Sequence, residues 1–205
     1  MEDPYRKGIY LEYFTIGYNV FEAVASMFFG FLAESIALVG FGLDSVVESI
    51  SGLILLWRLK KHETLTEEEE ERFEQKAVRF VAITFFILGA YVLFESIKKL
   101  LYAEVPEPTL PGIIISALSL IIMPVLARKK YRVGMEIGSK ALIADSKETL
   151  ACALLSVALL LGLGLNYVAG IWWADPVAAL VIVFFLFREG WGGLRGEEED
   201  GGKPR

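Results

Sequence analysis

Cysteine and histidine are nearly absent from this sequence, which contains one of each among 205 residues. The single cysteine, Cys152, excludes an internal disulfide. The single histidine, His62, lies in a charged stretch, and we interpret it as a solvated loop residue. The sequence also has no serine–lysine or paired-aspartate protease motif and no phosphate-binding glycine loop. An enzyme is therefore not expected.

Long apolar runs, by contrast, make up most of the chain. Hydrophobic residues account for 55% of the sequence, and the mean hydropathy is +0.50. The apolar residues come in blocks of about 20, the length of helix that crosses the roughly 30 Å hydrocarbon core of a bilayer. We therefore predict an all-α polytopic membrane protein with six transmembrane helices. The predicted spans cover about residues 12–32, 36–57, 77–97, 111–127, 141–165 and 171–188.

Positive charges are distributed unevenly between the predicted loops. Almost all of the 20 Lys and Arg residues lie at the termini or in the loops after the second and fourth spans, where Lys130 is counted as a loop cation. Only Lys98 and Lys99 lie on the opposite side. By the positive-inside rule, both termini are predicted to be cytoplasmic. We assign residues 1–190 to a six-helix transmembrane domain and residues 191–205 to a flexible acidic C-terminal tail.

Two carboxylates interrupt the second apolar span, in the stretch FGLDSVVES. Asp44 and Glu48 are four positions apart, so both project from one face of a helix, about 6 Å from each other. A charged side chain near the centre of a bilayer costs at least about 2.5–3.5 kcal/mol on the insertion scale. The pair therefore indicates an ion or proton site. The alternative is a structural pair that is hydrogen-bonded within the bundle.

The fifth span contains a second group of candidate ligands. Asp145, Glu148 and Cys152 lie at offsets 0, 3 and 7, which is one helical face. By depth in the bilayer, Glu148 and Cys152 match Glu48 and Asp44, whereas Asp145 is predicted to lie nearer the cytoplasmic mouth. Four such groups can form a tetrahedral cage around one divalent cation. Without the metal, we expect the clustered carboxylates to hold protons.

Smaller signals lie on three of the spans. Asn19 and Glu22, three positions apart on the first span, are candidates for an accessory ligand or a proton relay. Alternatively, they hydrogen-bond to a neighbouring helix. Glycines on the second and fifth spans are predicted to permit close helix packing rather than to bind a ligand; these are Gly40, Gly42, Gly52, Gly162 and Gly164.

Three segments, DSVVE, ADSKETLAC and WADPVAALVI, resemble the cation diffusion facilitator family. The resemblance implies six spans and a transport site with two ligands four positions apart on the second span and two on the fifth, usually Asp or His. Asp44 and Glu48 match the first pair. Asp145 corresponds to the aspartate ahead of the second pair, which places Glu148 where the family has His and Cys152 where it has Asp.

Two departures from the family pattern affect these expectations. Both ligands on the fifth span are non-standard, so Asp145 competes with Glu148 and Cys152 as a ligand. The family's cytoplasmic metal-binding C-terminal domain is not recognisable, so the chain resembles the short, transmembrane-only branch. Family precedent implies Zn²⁺ as the first candidate ion. Three carboxylates favour Mn²⁺ or Fe²⁺, whereas the thiol favours Zn²⁺ or Cd²⁺.

The expected function is efflux of a divalent metal across the plasma membrane by proton antiport. The expected partners are the metal ion, protons and the lipid bilayer, with no prosthetic group and no nucleic acid. Family precedent implies a homodimer. The alternative is a non-transporting membrane protein in which the buried acids have a structural or regulatory role.

Overall fold

The computed structural model describes residues 4–61, 67–107 and 109–195. Within these ranges the chain forms six α-helices and no strand, which confirms the predicted all-α architecture. Four of the helices, α1, α2, α4 and α5, are long and apolar enough to cross a membrane. The helices are α1 (Pro4–Leu32), α2 (Ile36–Lys61), α3 (Glu67–Tyr102), α4 (Leu110–Ile137), α5 (Lys140–Ala169) and α6 (Ala174–Arg195).

Local sequence signals define the ends of α4 and α5. Thr109 caps the start of α4, where its hydroxyl accepts a hydrogen bond from the backbone N–H of Gly112. Gly138 ends the same helix in the left-handed conformation, with φ of 68°, which a residue without Cβ adopts at no steric cost. Ser139 then caps α5. Two residues therefore suffice to reverse the chain between these helices.

The fourth helix extends well beyond its predicted end at residue 127. Its buried face continues at helical spacing through Leu126, Lys130 and Val133. The assignment of Lys130 to a cytoplasmic loop was therefore wrong, because this lysine is helical and its side chain is fully buried. The predicted span ended at residue 127 because three cations, Arg128, Lys129 and Lys130, follow it in the sequence, whereas the helix continues to Ile137.

Three chain reversals meet at one end of the bundle. The backbone N–H of Glu107, between α3 and α4, donates to the carbonyl of Ala33, between α1 and α2, at 2.8 Å. The side-chain amide of Asn166, near the end of α5, donates to the carbonyl of Pro106 at 3.1 Å. Gly138 and Ser139 form the reversal at the other end of α4 and α5. The helices therefore alternate in direction, as the six-span prediction requires.

Asp175, in the first turn of α6, joins this end of the bundle to α2. Its carboxylate accepts hydrogen bonds from the Ser35 hydroxyl and from the backbone N–H of Ile36 at 3.1 Å. These groups lie at the start of α2, where backbone donors have no partner within the helix. A carboxylate from one helix thus caps the N-terminus of another.

The second helix occupies the centre of the bundle and packs against α1, α3, α5 and α6. Close approach depends on glycine at several positions. A Cβ atom on Gly42 would lie 3.1 Å from the carbonyl oxygen of Ala23, and one on Gly162 would lie 2.6 Å from the Cβ of Ala178. The packing role predicted for these glycines is confirmed. For Gly164 it is wrong, since no atom of the described residues lies within 4 Å of the added carbon.

The last described helix runs into the segment that was predicted to be a tail. Residues 191–195 belong to α6. Residues 196–205 of the predicted acidic tail lie outside the described residues, as does His62.

Candidate metal transport site

Asp44 and Glu48 on α2 line one small cavity together with Glu148 and Cys152 on α5. The cavity volume is about 20 Å³, which is room for about one water-sized sphere. These are the four deeper residues that the sequence predicted to meet. The structure therefore brings the two predicted pairs to a common space of the size of a single ion.

The remaining walls of the cavity come from α3, α5 and α6. Phe85, Phe185 and Leu186 contribute apolar surface, whereas Glu189 contributes another carboxylate. Sequence reasoning missed Glu189, which follows an arginine at the end of the last predicted span and so reads as an interfacial residue. The sequence pattern that could have indicated it is the spacing of four residues between Phe185 and Glu189, which places both on one face of the helix.

Burial makes the charge of this cavity costly. Asp44 is 8% exposed and Glu48 is 6% exposed, and both are surrounded mainly by apolar helices. Removing a carboxylate from water disfavours its charged form, and nearby like charges add to the penalty. A divalent cation or bound protons would offset both effects. The cavity is therefore suited chemically to bind positive charge.

Two of the carboxylates, those of Glu48 and Glu148, accept hydrogen bonds from hydroxyl groups. Thr149 donates to Glu48 Oε1 at 2.9 Å, and Ser51 donates to Glu148 Oε2 at 3.0 Å. Both bonds link α2 to α5. Among the described residues, no three carboxylate, thiol or imidazole side chains converge closely enough to hold one metal ion. Coordination by all four residues would therefore require their side chains to move closer together.

The two accessory candidates lie on the buried face of α1. Glu22 Oε2 accepts a hydrogen bond from the Ser45 hydroxyl at 2.8 Å, and Cys152 Sγ lies 4.0 Å from the same oxygen. Glu22 is thus adjacent to a predicted ligand and also hydrogen-bonded to a neighbouring helix. Both polar atoms of the Asn19 side chain are buried on the same face of α1.

Asp145 lies outside the set of residues that line the cavity. Its carboxylate contacts the ammonium group of Lys130, which also lies 3.2 Å from Glu12 Oε1 on α1. Sequence reasoning missed both Lys130 and Glu12 as partners. The signal that could have found them is the helical spacing of the buried faces, which Lys130 continues on α4 and Glu12 on α1.

The fold defines a multi-pass membrane protein whose bundle encloses an acidic cavity. Residues 13–195 match the cation efflux transmembrane domain, and the chain belongs to this family of transporters. The predicted resemblance is confirmed.

Several relatives are similar to the chain over most of its length. An uncharacterized transporter of Methanocaldococcus jannaschii is 24% identical over 82% of this chain and 60% of that protein. Transmembrane protein 163 of Xenopus laevis is 23% identical over 90% of this chain and 65% of that protein. The cadmium, cobalt and zinc/H(+)-K(+) antiporter of Bacillus velezensis is 24% identical over 85% of this chain and 56% of that protein. The chain thus spans less than two thirds of the length of these relatives.

Proposed function

We propose that this protein exports a divalent metal ion from the cytoplasm in exchange for protons, with Asp44, Glu48, Glu148 and Cys152 as the ligands of the transported ion. The observation that carries this proposal is the shared cavity, which these four side chains line and whose volume suits one ion. Membership of the cation efflux family supports transport as the activity.

The ligand chemistry supports a transition metal as the substrate. A thiolate with carboxylate oxygens suits tetrahedral Zn²⁺, and Cys152 also accommodates Cd²⁺. The relative from Bacillus velezensis is named for cadmium, cobalt and zinc, which agrees with Zn²⁺ as the first substrate. The oxygen-rich remainder of the site makes Mn²⁺ and Fe²⁺ the next ions to test.

Proton exchange follows from the electrostatics of the cavity. When the metal leaves, Asp44, Glu48 and Glu148 would remain as a cluster of like charges with limited access to water. Such a cluster is stabilised by protons, which the next metal ion displaces. Exposure of the site to each side of the membrane in turn then couples metal export to proton entry.

The distribution of Lys and Arg supports an orientation with both termini in the cytoplasm. We place the carrier in the plasma membrane and, as the family resemblance implies, in a homodimer.

Glu22 contacts Cys152 and is proposed as an accessory group beside the ligands.

The decisive experiment is transport by purified protein in proteoliposomes that contain a metal-sensitive fluorophore and a pH-sensitive dye. Wild-type protein is expected to carry Zn²⁺ with an opposing proton flux. Asp44→Ala and Glu148→Ala should each reduce metal flux by roughly tenfold or more, since each removes a ligand. Glu136→Gln is the matched control, because this carboxylate is exposed near the end of α4.

A folded wild-type protein that moves none of Zn²⁺, Cd²⁺, Mn²⁺ and Fe²⁺ would contradict the proposal and favour a structural role for the buried acids. Metal flux that persists in both alanine variants would retain transport but reject the proposed ligands.

A further inference from the structure

We propose that Lys130 is a tethered cation that keeps Asp145 out of the coordination sphere of the transported ion and thereby sets the metal preference of the site. This inference rests on the proposed transport function. It concerns a residue that binds no metal itself and acts through its neighbours.

The Lys130 ammonium is completely enclosed by protein. Its side chain is 0% exposed, and its three N–H groups have three acceptors from three side chains. It donates to Glu12 Oε2 at 3.4 Å, to Asp145 Oδ2, and to Thr149 Oγ1 at 3.3 Å. The ammonium group therefore lies between the carboxylates of Glu12 and Asp145, where these would otherwise attract a free cation.

Thr149 connects this ion pair to the cavity. Its hydroxyl accepts a hydrogen bond from Lys130 and donates to Glu48 Oε1 at 2.9 Å. A hydroxyl group has a single hydrogen, and two acceptors compete for it here: the Glu48 carboxylate and the backbone carbonyl of Asp145, at 3.1 Å. The charged carboxylate is the closer and the stronger acceptor, and the cation on the hydroxyl oxygen strengthens this bond. Lys130 thus also helps to position Glu48, one of the proposed ligands.

Removal of the lysine would leave the Asp145 carboxylate free to turn towards the cavity. It lies one helical turn before Thr149, whose hydroxyl contacts Glu48, and its second oxygen, Oδ1, is buried without a hydrogen-bond partner among the described residues. Without Lys130, the charges of Asp145 and Glu12 would be unpaired beside Glu48. Added carboxylate oxygens favour Mn²⁺ over Zn²⁺, because oxygen-rich sites suit the harder ion.

The test compares Zn²⁺ and Mn²⁺ transport by wild-type protein and by Lys130→Met, which keeps most of the length of the side chain without its charge. The ratio of kcat/KM for Mn²⁺ to that for Zn²⁺ is expected to rise roughly tenfold in Lys130→Met, the size of effect typical of residues that orient metal ligands. Lys130→Arg should retain the wild-type ratio. Adding Asp145→Asn to Lys130→Met should abolish the rise, because the carboxylate that is proposed to join the site is then absent, although Glu12 remains unpaired.

Thr149→Val separates the two effects of the lysine. This variant cuts the link to Glu48 but leaves Asp145 paired with Lys130. It is expected to raise KM for both metals by a similar factor, with the ratio between them unchanged. Proper folding of each variant is checked by size-exclusion chromatography and circular dichroism.

A folded Lys130→Met protein with the wild-type metal ratio would overturn the inference, as would a shift that persists after Asp145→Asn is added. If Lys130→Met does not fold, the double variant Lys130→Gln/Glu12→Gln replaces it, because it removes one charge of each sign and still releases Asp145. The same rise in the ratio of Mn²⁺ to Zn²⁺ transport is expected. If wild-type protein transports neither metal, it is the proposed function that fails.

Discussion

Individual buried carboxylates in this bundle have quite different partners. Asp175 accepts hydrogen bonds from a hydroxyl and a backbone N–H, Asp145 pairs with an ammonium group, and Asp44 lines the cavity. The first two have protein donors that offset the cost of burial. Asp44 faces the cavity, which is what a site for a transported cation requires.

The capping role of Asp175 leads to a stability prediction. Asp175→Ala should lower the free energy of unfolding by about 1–3 kcal/mol, because it leaves the Ser35 hydroxyl and the first N–H groups of α2 without their acceptor. Denaturant unfolding in detergent micelles, followed by circular dichroism, measures the change. Glu107→Ala, an exposed carboxylate at the same end of the bundle, is the control. Equal stability of the two variants would contradict the capping role.

Packing between elements depends on which side of a helix a small residue occupies. Gly162 and Gly164 are two positions apart on α5, so they face different directions. Beside Gly162, the carbonyl oxygen of Ala174 lies 3.0 Å from the position of an added Cβ, whereas none of the described residues lies within 4 Å of a Cβ added to Gly164. Glycine is therefore needed at the first position for the contact between α5 and α6, and not at the second.

This pair provides a matched test of the interface. Gly162→Ala should destabilise the protein by roughly 1–3 kcal/mol, because backbone atoms of α6 would have to move. Gly164→Ala should be neutral or stabilise it by up to about 1 kcal/mol, because alanine favours a helix. Thermal unfolding of both variants in the same detergent gives the comparison. Similar melting temperatures would show that α5 and α6 do not pack as closely as described.

At the scale of the whole molecule, the two ends of the bundle are distinct. The loop that contains Glu107 packs against the α1–α2 turn, whereas Glu136 lies near the reversal between α4 and α5 at the other end. Since the proposed orientation places the termini and the α4–α5 reversal in the cytoplasm, the two glutamates should lie on opposite sides of the membrane.

Cysteine labelling in intact cells tests this orientation. A membrane-impermeant maleimide should label Glu107→Cys, and should label Glu136→Cys only after the membrane is permeabilised. Wild-type protein provides the background, because its sole cysteine, Cys152, is buried and 1% exposed. The reverse pattern would place the termini outside the cell and would contradict the proposed orientation.

The helical architecture and the four cavity residues were predictable because they depend on local patterns. A span is defined by a continuous run of apolar residues, and Asp44 with Glu48, like Glu148 with Cys152, shares a face by helical spacing alone. The cost of burying acids then implied that the two pairs face each other. These inferences use only the order of residues along each helix.

The partners of Asp145 were decided only by the tertiary structure. Its position on α5 is compatible with a place at the mouth of the metal site, and Lys130 reads as one of several loop cations. The rotation of α4 and α5 about their axes brings the two together and adds Glu12 from α1. No pattern within one helix encodes that rotation, because it results from how all the helices pack at once.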